Sequence, residues 1–189
     1  MKNIVIFASG SGSNAQNIIE FFRKDGTASV EAVFCNNPKA GVIKRCEDLD
    51  VPCVVFDRDE FYNTRKIVDL IEAFDADLVV LAGFLWLVPA NLIEAFPNRI
   101  LNIHPALLPK YGGKGMYGMN VHIAVIEAGE EESGITIHTV DAEYDKGEIV
   151  LQAVTRIDAD DTPETLAKKV HELEYKHFPL AIKKYLEKL

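Results

Sequence analysis

Short apolar runs alternate with segments of helical periodicity through the first ~105 residues of this chain. Runs of this kind, rich in Val, Ile and Phe, are typical of parallel strands that are buried on both faces. They stand at 4–8, 30–35, 53–56, 78–82 and 99–104. A strand, a crossover helix and a second strand form a parallel sheet with helices on both faces. The sequence therefore predicts an α/β fold with three αβα layers, and a single domain over residues 1–189.

The helical segments carry start and stop signals that predict their bounds. One long helix is predicted over 59–74, with Asp57 or Asp59 as its N-cap. A second long helix is predicted near the C-terminus, with Thr162 as N-cap and a proline in the first helical position. Pro179 is expected to kink that helix or to break it, because proline removes a backbone donor.

The charge balance excludes one class of partner. The chain has 20 basic and 29 acidic residues and a net charge of −9, which argues against binding to a nucleic acid backbone. No signal segment is recognisable, and no apolar run approaches the ~20 residues that span a bilayer. Three cysteines without a C-x-x-C pair indicate neither a disulfide framework nor a zinc site. We expect a cytoplasmic, reduced, metal-free protein with no membrane partner.

A glycine-rich loop follows the first strand. Ser9-Gly10-Ser11-Gly12-Ser13-Asn14 leads into a helix whose apolar residues recur at helical spacing. Glycines allow close backbone approach, and a helix N-terminus offers free N–H groups to an anion. The spacing matches neither G-x-G-x-x-G nor the Walker A loop. Two interpretations stay open at this point, a site for a small phosphate and a plain tight turn.

Two polar residues stand at the end of the strand at 99–104. Alternation with a period of two places Asn102 and His104 on one face and Leu101 and Ile103 on the other. The carboxyl ends of strands are where ligands bind in open α/β sheets. An amide can donate to a carbonyl oxygen, and an imidazole can exchange a proton near neutral pH. The alternative is a turn-capping Asn beside a structural core His.

The eight residues from Asn102 to Pro109 decide between these interpretations. Asn-Ile-His-Pro-Ala-Leu-Leu-Pro resembles the signature N-x-H-P-S-L-L-P of the formyltransferase family that uses 10-formyltetrahydrofolate, with only Ala106 in place of the usual Ser. The resemblance covers nearly the whole chain and implies a Rossmann-like formyltransferase fold. It implies formyl folate as a cosubstrate, small-molecule partners, no metal, and a monomer or homodimer. Family members with an additional domain do not fit within 189 residues.

The resemblance also implies three catalytic residues. Asn102 would hydrogen-bond the developing oxyanion, and His104 would stabilise that oxygen or relay a proton. The family's catalytic aspartate lies in a Leu-Asp-x-Gly turn, which Tyr144-Asp145-Lys146-Gly147 matches. Asp145 is thus favoured over the other acids of that segment, and is expected to raise the pKa of His104.

Binding residues follow from the same resemblance. The implied acceptor is the amine of 5'-phosphoribosylglycinamide, and its formylation is a step of purine synthesis. The residues assigned to the acceptor are Gly12, Ser13 and Asn14 in the phosphate loop, and Glu174 and His171 on the last helix. The residues assigned to the folate are Leu85, Trp86, Leu87 and Val88, with Asp141 and Asn102. Trp86 stands where the family has an Arg.

One segment departs from the family pattern, and three other functions remain as alternatives. Residues 112–118 contain four glycines in seven, which predicts either a gate over the substrate or an ordinary surface loop. A nucleotide-binding oxidoreductase would need an acid at the end of the second strand, where this chain has Cys35-Asn36-Asn37. A non-catalytic folate binder would not need the three catalytic residues. A sugar-amine acceptor is the third alternative.

Overall fold

The computed structural model describes residues 1–143 and 145–189. Within them the chain forms strands β1 Lys2–Ala8, β2 Ala28–Cys35, β3 Cys53–Val55, β4 Leu78–Leu81, β5 Ile100–His104, β6 Glu132–Thr139 and β7 Ile149–Arg156. The helices are α1 Ser13–Asp25, α2 Gly41–Asp48, α3 Arg58–Tyr62, α4 Lys66–Ala73, α5 Ala90–Ala95, α6 Met119–Glu127 and α7 Pro163–Leu186.

The described strands form one sheet in the order β3-β2-β1-β4-β5-β6-β7. The first five are parallel, and β6 and β7 add antiparallel partners at one side. The order runs outwards in both directions from the pair β1 and β4, which is the switch point of an open α/β sheet. A crevice opens there, outside the carboxyl ends of the strands. The glycine-rich loop and the segment 83–88 both leave the sheet at this crevice.

Alternation along β1 explains why helices cover both faces of the sheet. Ile4, Ile6 and Ala8 belong to one apolar cluster, together with residues of α1, α2, α6 and α7. Val5 and Phe7 belong to the other, with residues of α3, α4 and α5. All five side chains are fully buried. The predicted three-layer α/β architecture is therefore confirmed.

The single helix predicted over 59–74 is wrong. The chain forms two short helices, α3 and α4, that are separated by a turn at 63–65. The Thr64 hydroxyl donates to the Glu60 carbonyl at 2.8 Å and accepts from the Lys66 N–H at 3.1 Å. A side chain that bonds locally to the backbone competes with the helix ladder. The predicted N-cap is confirmed, because Asp57 accepts from the Glu60 N–H in a capping box.

Of the two outcomes predicted at Pro179, the break is wrong, and the kink stays a prediction. The last helix is continuous from Pro163 to Leu186, with Thr162 as its N-cap as predicted. Phe178, Ala181 and Ile182 are buried on either side of the proline. Their packing offsets the ~3 kcal/mol that an interior proline costs a helix. None of the helices in the described residues is long and apolar enough to cross a membrane.

Candidate active site

A cavity of about 680 Å³ occupies the crevice at the switch point. Its size is typical of a site for a small organic ligand. The residues predicted for the site that line it are Gly12, Ser13, Asn14, Leu85, Trp86, Leu87, Val88, Asn102, His104, Asp145, His171 and Glu174. The fold therefore brings Asn14 and Glu174, which are 160 positions apart in the sequence, into one cavity.

The Asn102 amide lies at the centre of a polar cluster. Antiparallel pairing places Asn102 directly opposite His138 on β6, and the amide Nδ2 is 3.1 Å from His138 Nε2. His138 Nδ1 lies 2.8 Å from the Thr139 carbonyl, which can only accept, so Nδ1 carries the proton. In a neutral ring Nε2 is then bare and accepts from Asn102. The second N–H of Asn102 faces Asp145 Oδ1 at 3.5 Å, a long contact.

The His104 imidazole is held in one tautomer. The side chain is only 4% exposed, and its Nε2 donates to the Tyr111 carbonyl at 2.7 Å. Its Nδ1 therefore faces the Asp145 carboxylate, 3.6 Å from Oδ2. Burial lowers the pKa of His104 below its usual value, and the raising effects of Asp145 and the Tyr111 carbonyl do not overcome it. Asp145 acts in the predicted direction, but the net shift is the opposite of the one expected.

Asp145 is fixed by its turn. It adopts a left-handed backbone conformation with φ 57°, which Asp tolerates better than most residues. Its Oδ2 accepts from the Gly113 N–H at 2.9 Å. A Cβ on Gly147 would come within 1.6 Å of the Thr139 carbonyl, so the turn requires glycine there. Burial raises the pKa of Asp145, but the close contact with the His138 ring, the bond from the Gly113 N–H and the nearby His104 imidazole lower it by more, so the net shift is downward. Tyr144, the first residue of the predicted turn motif, lies outside the described residues.

The glycine-rich loop presents the N-terminus of α1 to the cavity. Gly12 is the N-cap residue, with φ 76° and no side-chain cap. A Cβ at Gly12 would meet the Val42 Cα at 2.8 Å, so close packing against α2 requires glycine. The first helical hydrogen bond runs from the Gln16 N–H to the Gly12 carbonyl. The N–H groups of the first helical turn before Gln16 are thus left for an anion.

The last helix is tied to the glycine-rich loop by a buried carboxylate. Glu174, only 5% exposed, accepts from Asn14 Nδ2 at 2.8 Å and lies 2.8 Å from His171 Nδ1. The predicted pairing of His171 and Glu174 on one helix face is therefore confirmed in its geometry. The bond to Glu174 raises the pKa of His171 against the effect of burial. A titratable cation thus stands at the same end of the cavity as the α1 N-terminus.

An apolar wall closes the opposite side of the cavity. It is formed by residues 84–88, which leave the carboxyl end of β4, and by Val140. Leu85 lines the cavity and is 48% exposed. Trp86 packs its ring against Phe56 and Phe61 at centroid distances of 6.1 and 5.9 Å. The Arg58 guanidinium lies 5.5 Å from the Trp86 ring centroid. The wall offers a flat apolar surface with a cation behind it.

The position of Asp141 does not support its predicted contact with the folate. Its side chain is exposed, and its Oδ1 accepts from the Glu143 N–H at 2.9 Å, within its own turn. Glu143, not Asp141, is the acid of this turn that lines the cavity beside Asp145. The family resemblance, and not a pattern in the sequence, assigned Asp141 to the folate, and that assignment stays a prediction.

Tyr111, His122 and Lys114 contribute to the site, although the sequence analysis assigned none of them to it. His138 orients Asn102, and Tyr111 fixes the tautomer of His104 through its main chain, which no side-chain pattern could indicate. His122 on α6 and Lys114 on the glycine-rich segment 112–118 line the cavity directly. Lys114 is the one Lys or Arg in the cavity lining, as far as the described residues go. The departure of 112–118 from the family pattern was the available signal.

No group of three or more His, Cys, Asp or Glu is placed to hold a metal ion within 1–143 and 145–189.

Comparison with known proteins agrees with this geometry. Residues 2–182 match the family model described as formyl transferase. A phosphoribosylglycinamide formyltransferase of Arabidopsis thaliana, a chloroplastic protein, is 43% identical over 182 residues, which cover 93% of this chain and 62% of the relative. The protein of the same name in Bacillus subtilis is 35% identical, over 98% of this chain and 95% of the relative. This chain thus spans less than two thirds of the plant protein and nearly all of the bacterial one.

A solved structure is similar over its whole fold. Glycinamide ribonucleotide transformylase 1 from Symbiobacterium toebii superposes with a TM-score of 0.90 at 33% sequence identity, and the match covers 99% of this chain and 88% of that chain. The similarity extends to the antiparallel part of the sheet, since almost all of this chain takes part in it.

Proposed function

This chain belongs to the formyl transferase family, and from that membership we propose a specific reaction for it. The enzyme transfers the formyl group of 10-formyltetrahydrofolate to the amine of 5'-phosphoribosylglycinamide, in the synthesis of purines. The similar proteins of A. thaliana and B. subtilis carry the name of this activity. The cytoplasmic location and the assembly as monomer or homodimer stay predictions.

One observation carries the proposal. A single cavity is lined both by the Asn102, His104 and Asp145 cluster and by the N-terminal residues of α1. The Asn14 to Glu174 hydrogen bond of 2.8 Å joins the loop to α7, and both partners of Glu174 use the same oxygen, Oε2. The other oxygen, Oε1, is left for a hydroxyl of the acceptor ribose. This arrangement suits a molecule with a phosphate at one end and an amine at the other.

The reaction forms one C–N bond and breaks another. The acceptor amine attacks the formyl carbon, and negative charge develops on the formyl oxygen. The second N–H of Asn102, which makes only the long 3.5 Å contact with Asp145, is the donor for that oxygen. One such donor is worth about 3–4 kcal/mol in comparable sites. His138 holds the amide so that its nitrogen, not its oxygen, points to the reaction.

His104 moves the proton. Burial keeps its imidazole neutral in the free enzyme, so Nδ1 can accept the proton that the attacking amine loses. The imidazolium then donates this proton to the folate nitrogen as the old C–N bond breaks. Asp145, at 3.6 Å from Nδ1, stabilises the imidazolium while it exists. The lowered pKa of His104 therefore favours a mechanism in which His104 is neutral at first, acts as the base and then acts as the acid. It argues against a mechanism in which His104 is already protonated in the free enzyme.

The cavity also suits the formyl folate. Residues 84–88 and Val140 supply an apolar wall for a flat heterocycle, beside the Asn102 amide. Lys114 in the cavity lining, and His171 with its raised pKa, supply positive charge for a phosphate. The chain as a whole has a net charge of −9, so the binding of a phosphate depends on such local positive charge.

The direct test is to combine the purified protein with both substrates and to follow the products by mass spectrometry. The expected result is a formylated acceptor and tetrahydrofolate in equal amounts. Two further incubations separate the alternatives, one without acceptor and one with a phosphorylated sugar amine in its place. Faster release of formate without acceptor, or faster transfer to the sugar amine, would contradict the proposal.

A further inference from the structure

His122 is a buried histidine that the chemistry above does not use. It lies on α6, is 4% exposed and lines the cavity. Its Nδ1 is buried and finds no hydrogen-bond partner among the residues that the structure describes. The nitrogen through which the ring reaches the cavity is therefore Nε2. The same helix buries Val121 and Val125 in the apolar core, so packing alone does not explain an imidazole at this position.

An unpaired buried imidazole is costly to keep. Buried polar groups nearly always have a partner, and leaving one without a partner costs roughly as much as a hydrogen bond contributes. An apolar side chain at position 122 would avoid this cost. The chain keeps the imidazole despite the unpaired Nδ1, which indicates that the other nitrogen, Nε2, has a use. A ligand that enters the cavity can pair with Nε2.

Charged groups from two parts of the site act on the His122 ring. His171 and Glu174, at the acceptor end, and His104, at the reacting end, are all close enough for their charges to act on it. Burial lowers the pKa of His122, and His171 lowers it further, against the opposing effect of Glu174. The ring is thus neutral at neutral pH. A neutral ring at this place suits an uncharged oxygen in the middle of a ligand better than it suits a phosphate.

We propose that His122 binds the acceptor, with Nε2–H donating to an uncharged oxygen between the phosphate and the amine, a ribose hydroxyl or the amide carbonyl. This contact rests on the proposed function and deepens it. It fixes the distance from the phosphate loop to the amine, so that the amine meets the formyl carbon beside Asn102. The acceptor is then recognised at three places along its length, at the α1 N-terminus, at His122 and at the reaction cluster.

The test compares His122→Gln with His122→Phe in steady-state kinetics with both substrates. The Gln amide can place an N–H near the position of Nε2, whereas Phe keeps the ring and removes both nitrogens. We expect His122→Phe to raise the acceptor KM about tenfold, the loss of one net hydrogen bond, with the folate KM unchanged. His122→Gln should recover most of this loss. His177→Phe is the matched control, since His177 lies on α7 outside the cavity lining, and should leave both KM values unchanged.

A second measurement decides which part of the acceptor is contacted. With an acceptor that lacks the 5'-phosphate, the ratio of kcat/KM between wild type and His122→Phe should stay the same. A ratio that falls to one would mean that His122 binds the phosphate, and would overturn the proposal. If the Phe variant does not fold, His122→Asn replaces it. Its shorter amide cannot reach, so it should lose the affinity that Gln keeps.

The outcomes separate this inference from the proposed function. Wild-type protein that does not formylate the acceptor overturns both. Active wild-type protein with an equal acceptor KM in His122→Phe, or in His122→Asn, overturns the contact alone.

Discussion

At the scale of single residues, Asp145 connects more of the active site than any pattern in the sequence would suggest. Its two oxygens face the Gly113 N–H, the His104 and His138 rings, and the Asn102 amide, all within 3.6 Å. A carboxylate so placed holds the segment 112–118 near the reaction cluster and stabilises positive charge on His104 when it forms. Structure and chemistry therefore depend on the same group.

We predict that Asp145 and His104 act as a unit. Asp145→Asn should lower kcat by about 10²–10³, the usual range for a group that acts on the transition state, and change both KM values little. Combining it with His104→Ala should cost little more than the worse single change, because residues that act as a unit are not additive. Steady-state kinetics of the two single variants and the double variant measure this directly.

The pH profile gives an independent check on that pair. The Asp145 carboxylate raises the pKa of His104, so its removal lowers that pKa. If neutral His104 is the base, the acidic limb of kcat should move to lower pH in Asp145→Asn. Asp141→Asn is the control, because the Asp141 side chain is exposed and accepts a hydrogen bond within its own turn. The prediction would be contradicted if the kcat losses of the two single variants multiplied in the double variant. It would also be contradicted if the acidic limb of the pH profile did not move in Asp145→Asn.

The sequence indicated some of these residues better than others, for physical reasons. Asn102 and His104 follow from alternation along one strand. Asp145 and Glu174 reach the cavity only through the topology, so only the family resemblance indicated them. Asp141 was also indicated only by the resemblance, and its side chain bonds within its own turn. His122 carries no pattern at all, since a histidine on an apolar helix reads as a core residue until its unpaired nitrogen is seen.

At the scale of elements, strands were easier to predict than helices. A parallel strand buried on both faces is apolar throughout, so β1 and β4 stand out in the sequence. Helix bounds depend on local competition that composition does not reveal, such as the Thr64 hydroxyl that divides α3 from α4. The continuous α7 shows the opposite case, in which tertiary packing overrides an interior proline.

The segment 84–88 makes a spectroscopic prediction. Trp86 is the only tryptophan, and its ring stands between the aromatic cluster and the cavity. Binding of a folate analogue should therefore change its fluorescence, with a midpoint equal to the Kd from calorimetry. A phosphate-bearing acceptor analogue, which binds at the other end of the cavity, should change the emission much less. Calorimetric binding of the folate analogue with unaltered emission would place the heterocycle away from this wall.

At the scale of the whole molecule, the cavity is assembled from both ends of the chain. Asn14, near the N-terminus, meets Glu174 across 160 positions, and α1 and α7 share one apolar cluster. The two walls of the cavity belong to opposite layers of the sheet, since the 84–88 segment packs with the other cluster. The sequence predicted the layers, but long-range contacts of this kind depend on strand order, which short patterns do not encode.

Stability should respond to pH through two histidines in opposite directions. The pKa of His122 is lowered from 6.5 by burial. As the pH falls, His122 therefore takes up a proton in the unfolded chain before it does so in the folded one. The contribution of neutral His122 to stability is thus lost as the pH falls below about 6.5. The pKa of His171 is raised from 6.5 by Glu174. Its contribution is complete below about 6.5 and is lost as pH rises through the folded-state value.

Urea unfolding of His122→Phe and His171→Gln at pH 5.5 and pH 8.5 tests these signs. Relative to wild type, His122→Phe should appear more stable at the lower pH than at the higher one. His171→Gln should show the reverse, with a smaller amplitude because its side chain is 52% exposed. The same trend in both variants would mean that other groups control the pH dependence.

The antiparallel pairing of β5 with β6 has a consequence for how such a chain can change over evolution. Asn102 lies opposite His138, and His104 lies opposite Thr136. Because side chains in a strand alternate between faces, the gain or loss of one residue inside β6 would turn His138 away from Asn102 and bring an unrelated side chain into its place. Insertions and deletions are therefore expected to accumulate in the connections, such as 105–118, and to be absent from the two strands that carry the reaction cluster.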